Sequence, residues 1–248
     1  MSQQRNVSSM HVPDGFLNAP TSLATGVVAV AGVALALRGA HKELDDRTAP
    51  MAGLVATFVF AGQMMNFPVA AGTSGHLLGG ALAAVLVGPW TAVLCISVVL
   101  VVQALFMADG GITALGTNIT LMALVGVAVG WLVFVAVRAI LPKRLSSIAP
   151  ASAVGALLSV PIAAIAFTVL FAIGGTAPVS TGKVLAAMVS WHAAIGIGEA
   201  LITGLVVAGV IAVRPDLVYG ARPVLAAREL EIRPGHPPQT TPQQEAQA

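Results

Sequence analysis

WTAVLCISVVLVVQALFM, Trp90 to Met107, carries no charged side chain from end to end. As a helix rising 1.5 Å per residue, such a window has about the length needed to cross roughly 30 Å of hydrocarbon. Comparable windows flank it on both sides, at Pro20 to Leu37, Met51 to Phe67, Leu115 to Leu141, Pro150 to Ile173 and Val184 to Val213. Between the second and third lies His76 to Val87, apolar but short, and Gly88-Pro89 separates it from the next window. It is expected to form a seventh, short or partly re-entrant helix, because non-helical backbone at membrane depth is tolerated only where protein or water satisfies it. With 57% hydrophobic and 9% charged residues, against about 25% charged in a soluble domain, the expected fold is all-α, a polytopic membrane bundle of about seven transmembrane helices. Its setting is a lipid bilayer, as a multi-pass protein of the cell membrane. Nothing in the charge pattern calls for nucleic acid.

Orientation follows from the basic residues. Arg38, Lys42 and Arg47 follow the first window, Arg138, Lys143 and Arg144 the fifth helix, and Arg214, Arg222, Arg228 and Arg233 the last. Only Arg5 and Lys183 lie on the other side, and ten of 12 on one face is a strong positive-inside bias. An odd number of spans is then required, with the N-terminus outside and the C-terminus cytoplasmic. Residues 10–214 are read as the membrane domain, residues 1–9 as an extension, and residues 215–248 as a polar cytoplasmic tail. The Pro- and Gln-rich end of that tail has a disordered composition.

The outward face contains a chelator. In MHVPDGFL, Met10 to Leu17, a free α-amine on Met10 and the amide nitrogen of His11 would close a five-membered ring around one metal. The same amide and Nδ1 of His11 would close a six-membered ring. Three nitrogens then lie in one plane, and an imidazole from elsewhere completes an N4 square suited to divalent Ni or Cu and able to accommodate Co. Nine residues, MSQQRNVSS, precede Met10, and a peptide bond would occupy that amine. They contain no apolar stretch of a signal peptide. We expect physiological initiation at Met10; processing, or an extended chain with an altered site, are the alternatives.

Other polar residues cluster near the same face. In NFPVAAGTSGHLLGG, Asn66 to Gly80, His76 stands before the short third helix; alone it reads as a helix-end residue bonding a loop carbonyl, but with Met10-His11 on the same side it becomes a ligand candidate. Asn66, Gln103 and Asn118 sit at outward helix ends, where they could support ligating imidazoles or bond between helices. Pro13-Asp14-Gly15 reads as a turn that re-aims the N-terminal segment into the bundle. His192 and Glu199 lie two turns apart on one helical face, and an intramembrane carboxylate normally has a partner or a function. Cys95, the single cysteine, excludes a disulfide and a cysteine-based zinc site and reads as packing.

Four stretches, MHVPDGFL, NFPVAAGTSGHLLGGAL, QALFMADGGITALGTNI and HAAIGIGEALIT, together resemble the CbiM/NikM family, the substrate-binding membrane components of energy-coupling-factor (ECF) ABC transporters for cobalt or nickel. The resemblance covers about residues 10 to 213. It implies that Met10, through its amine, His11, through amide and imidazole, and His76 bind the metal. It also implies that Co2+ or Ni2+ is cargo rather than cofactor, and that the metal supplies cobalamin biosynthesis or nickel enzymes. The implied partners are a coupling transmembrane protein, ATPase subunits and a small auxiliary membrane subunit encoded as a separate chain.

The sequence itself argues against an enzyme. Gly182-Lys183-Val184 lacks the rest of a phosphate-binding loop, and no HExxH is present. An autonomous secondary carrier or channel for a divalent cation is the alternative function, and it would need ionisable groups through the membrane midplane. His192 and Glu199 are the only such candidates. As base and orienter of a hydrolase, the same pair lacks a nucleophile.

Overall fold

The computed structural model describes residues 11–45, 48–65, 67–69 and 73–229. The chain is a multi-pass membrane protein with an all-α architecture relieved by one small ribbon. Its helices are α1 (Ala19–Ala40), α2 (Ala49–Gln63), α3 (Gly80–Val87), α4 (Pro89–Phe106), α5 (Leu115–Asn118), α6 (Val127–Ile140), α7 (Ile148–Gly174), α8 (Thr181–Val213) and α9 (Arg222–Glu229). A π-helical stretch, Ile119–Gly126, joins α5 to α6, so that Leu115–Ile140 forms one continuous span. Among the described residues, five helices are long and apolar enough to cross a membrane: α1, α4, the α5 to α6 span, the helix ending at Gly174, and α8. The apolar α2 is shorter, at 15 residues. Strands β1 (Phe67–Val69) and β2 (Thr73–Gly75) pair antiparallel, with Phe67 opposite Gly75.

Helix boundaries follow local chemistry. Asn18 caps α1, its side chain accepting from the Thr21 N–H at 3.0 Å, and α1, α2 and α4 each have proline in the first turn, where no N–H is required. Two boundaries differ most from the hydropathy reading. The second helix stops at Gln63 rather than Phe67, because Phe67–Val69 is drawn into the ribbon. The third begins at Gly80 rather than His76: Gly79 takes a left-handed φ of +75°, and His76 to Gly79 run as irregular backbone into the helix.

All eight residues of α3 are buried, and it lies centrally, packed on α2, α4, α6 and α7. Around it, glycines bring helices together. A Cβ on Gly80 would stand 3.1 Å from the Gly126 carbonyl carbon, and one on Gly116 would stand 2.4 Å from the Gly26 Cα, which sets the crossing of α1 with α5. Beside that crossing the hydroxyls of Thr25 and Thr117 are 2.7 Å apart. Helix α7 packs most extensively on α8. Pro161 gives no N–H to the Leu157 carbonyl, and a Cβ on Gly196 of α8 would come 2.8 Å from that same oxygen. Large apolar side chains such as Leu23, Val30, Leu132, Leu201 and Leu205 remain on the outside, as a lipid-facing surface requires.

The end rich in Arg and Lys is closed by Glu43. Its buried carboxylate accepts from the Trp90 and Thr91 N–H groups at 3.1 and 2.7 Å, capping α4. Although the composition turns polar after Arg214, packing continues beyond it: Val218, Ala221 and Val224 are buried in the core, and Tyr219 packs on Trp131.

Candidate metal centre

The other end of the bundle holds the N-terminal segment. From Val12 onward it is laced to three elements. Val12 and Asn118 exchange two hydrogen bonds, Val12 N–H to Asn118 Oδ1 at 3.0 Å and Asn118 Nδ2 to the Val12 carbonyl at 3.2 Å. The Gly111 N–H also donates to the Val12 carbonyl, at 3.0 Å. Pro13 to Phe16 form the expected turn, with the Phe16 N–H on the Pro13 carbonyl. Asp14 accepts from the Thr113 N–H at 2.7 Å and from the Thr113 hydroxyl; that hydroxyl, the largest cause, holds its carboxyl below the usual range. The structural role expected of Asp14 is therefore the one observed. Further on, the Thr176 N–H donates to the Phe16 carbonyl, Leu17 pairs with Gly175, and Phe16 packs against Phe167 and Phe171.

Lacing of this density needs close backbone approach. Gly110, at φ +84°, could not carry a Cβ without placing it 2.9 Å from the His11 Cβ. A Cβ on Gly111 would collide with Asp14. The Asp109-Gly110-Gly111 loop is thus shaped around the N-terminal segment, and it brings Asp109 to His11: Oδ2 lies 3.3 Å from Nδ1.

His11 and His76 meet here. Both are buried, at 7% and 6% exposure, and their ring centroids are 4.6 Å apart with planes tilted by 57°. Nδ1 of His76 is 2.8 Å from the Leu77 carbonyl. A carbonyl can only accept, so Nδ1 carries the proton and Nε2 keeps the lone pair. Burial, reinforced by the neighbouring His11 imidazole, lowers the His76 pKa to about 3, which keeps the ring neutral and able to bind a cation.

The remaining site residues fall as follows. Met10 and Asn66 lie outside the described residues. Gln103 is fully buried near the end of α4, and its backbone carbonyl accepts from the Asp109 N–H at 3.1 Å; its side-chain amide has no hydrogen-bond partner among the described residues. Asn118 holds the Val12 backbone rather than an imidazole, and so fixes the residue next to His11. His192 bonds the Met188 carbonyl one turn back, at 2.7 Å. Glu199 does not pair with it: its oxygens accept from the Leu78 and Gly79 N–H groups at 2.7 and 2.9 Å. Gln63, unmarked in the sequence reading, donates to the Leu78 carbonyl at 3.0 Å. Asp109 was not singled out in the sequence; the glycine pair that follows it was the available signal.

The family model described as the cobalt uptake substrate-specific transmembrane region, CbiM, matches residues 11–217. A protein of Haloquadratum walsbyi provisionally named a metal transport protein is 39% identical over 212 residues, 85% of this chain and 94% of its own. The cobalt transport protein CbiM of Clostridioides difficile is 28% identical over 186 residues, 74% of this chain and 72% of its own. A crystal structure of a truncated transition metal transporter superposes with a TM-score of 0.75 at 30% identity, covering 82% of this chain and 99% of that one. With a family match that runs from the buried His11 through the last spanning helix, the chain belongs to the CbiM family of substrate-specific transmembrane regions for cobalt uptake.

Proposed function

We propose that this chain is the metal-capture subunit of an ECF-type importer for Co2+ or Ni2+, binding its cargo through Met10, His11 and His76 on the outward face. The observation that carries the reading is the approach of two buried imidazoles, 4.6 Å between centroids, at the bundle end opposite most of the Arg and Lys residues. Among the described residues no group of three or more His, Cys, Asp or Glu side chains gathers for a metal. Two imidazoles supply two nitrogens of an N4 square, and the Met10 amine and His11 amide supply the other two when the chain begins at Met10. Nitrogen donors and planarity favour Co or Ni over Mg and Ca, which prefer oxygen. Asn118 supports the site through Val12, and Gln103 supports it through the Asp109 N–H that its carbonyl accepts. Uptake requires the coupling membrane protein and ATPase subunits, because this chain has no phosphate-binding loop of its own.

The test is metal binding by purified full-length chains beginning at Met1 and at Met10. The Met10 form should bind Ni2+ or Co2+ tightly and the uncleaved Met1 form weakly. His11→Ala and His76→Ala should each abolish tight binding, whereas His41→Ala, at the opposite end of α1, should leave it intact. Equal tight binding by both forms would exclude the amine as a ligand.

A further inference from the structure

Glu199 is the one acidic side chain buried within the described spanning helices, at 1% exposure. A carboxylate in such a place is costly unless its oxygens are satisfied. Both are satisfied by consecutive backbone N–H groups more than a hundred residues away: Oε2 takes the Leu78 N–H at 2.7 Å and Oε1 the Gly79 N–H at 2.9 Å. These donors stand at the start of α3, where a negative charge also meets the positive end of the helix dipole. Gln63 of α2 holds the same peptide from its other side, through the Leu78 carbonyl.

The clasped backbone begins two residues after His76. The residue between, Leu77, supplies the carbonyl that fixes the proton on His76 Nδ1 and leaves Nε2 as the donor nitrogen. Gly79 makes this arrangement single-valued: its left-handed φ suits glycine, and a Cβ there would stand 2.8 Å from the Val59 side chain. The irregular stretch from His76 to Gly79 is therefore held by side chains from two helices, α8 and α2, rather than by a regular hydrogen-bond ladder of its own.

We propose that Glu199 is a positioning residue for metal capture, clamping the Leu78-Gly79 backbone so that the Leu77 carbonyl sets the His76 ring with Nε2 ready for the ion before any ion arrives. This rests on His76 being a ligand. Preorganised outer partners of a ligating histidine commonly contribute tenfold to a hundredfold in metal affinity.

The experiment uses the full chain beginning at Met10, Ni2+ as probe, and two readouts, affinity and the visible absorption of the bound ion. Glu199→Gln keeps size but sets an amide NH2 against one of the two N–H donors. Its Ni2+ affinity should fall at least tenfold, and its absorption band should move toward that of His76→Ala, while gel filtration stays near wild type and thermal unfolding remains one cooperative transition at a somewhat lower temperature. Wild-type affinity and an unchanged band in Glu199→Gln would overturn the proposal. If His76→Ala itself binds like wild type, the ligand reading fails instead, and the two failures are distinct. Should Glu199→Gln not fold, hydrogen exchange on the unaltered protein decides. The Leu78 and Gly79 amides should exchange slowly without metal and change little when Ni2+ is added; fast exchange that slows only on loading would assign the ordering of the loop to the metal and overturn the role of Glu199.

Discussion

At the level of single residues, the two histidines that the fold brings together stood out as ligand candidates because their chemistry is local. A Met-His pair defines its own chelate rings, and a histidine beside a short apolar helix is conspicuous. What the surrounding residues bond to was not legible, although Glu199 stood out as an intramembrane carboxylate. Asp109, Gln63 and Glu199 reach the site through contacts between distant parts of the chain, 120 residues in the case of Glu199 and Gly79, and no spacing rule links such positions. Asp109 stands 3.3 Å from the His11 nitrogen that the chelate would use, so it places negative charge where a dication must arrive. Asp109→Asn should weaken Ni2+ binding by about tenfold, roughly 1.4 kcal/mol, in a titration at low salt. Asn118→Leu removes two hydrogen bonds worth about 1 kcal/mol each, and should free the amides around Val12 to exchange faster while lowering metal affinity. The His76 pKa of about 3, below the roughly 6.5 of an unfolded histidine, has a signed consequence. The unfolded chain binds the proton more readily, so the stability this ring contributes is present above about 6.5 and is lost as pH falls toward about 3. Thermal unfolding of the metal-free protein should move to lower temperature across that window, with a shallower slope in His76→Ala.

At the level of elements, hydropathy located every long helix, because an 18-residue apolar run has few alternatives in a membrane. It misplaced the end of α2 and the start of α3, where the chain leaves regular helix to form the ribbon and the clasped loop. The late start of α3 depends on Glu199 and on Gly79, not on local hydrophobicity. The π-helical stretch Ile119–Gly126 also had no sequence signal; such segments gather at functional sites, and this one starts directly after Asn118. Glycines bring the helix backbones together, but nothing local in the sequence names the partner that each one meets. Gly116 is the sharpest case, since any side chain there meets the Gly26 backbone, which cannot rotate away. Gly116→Val should therefore part α1 from α5 and cost about 3 kcal/mol or more, visible as a lower unfolding temperature in detergent and a loss of metal binding through Asn118.

For the whole molecule, the site and most of the positive charge lie at opposite ends of the bundle, which makes the orientation directly testable. The native Cys95 is buried and should give little background with a membrane-impermeant maleimide. Ser180→Cys should label in intact cells, and Lys143→Cys only after the membrane is opened; the reverse pattern would invert the topology. The bundle explains capture but not pumping, and vesicles containing this chain alone should bind Ni2+ without accumulating it. The central claim is that the ion sits in a square of four nitrogens, two of them imidazole. X-ray absorption spectroscopy of the Ni2+-loaded chain beginning at Met10 tests it most directly. The account predicts a four-coordinate, nitrogen-only shell with two imidazole signatures, one of which disappears in His76→Ala. A six-coordinate shell dominated by oxygen, unchanged by that substitution, would contradict it.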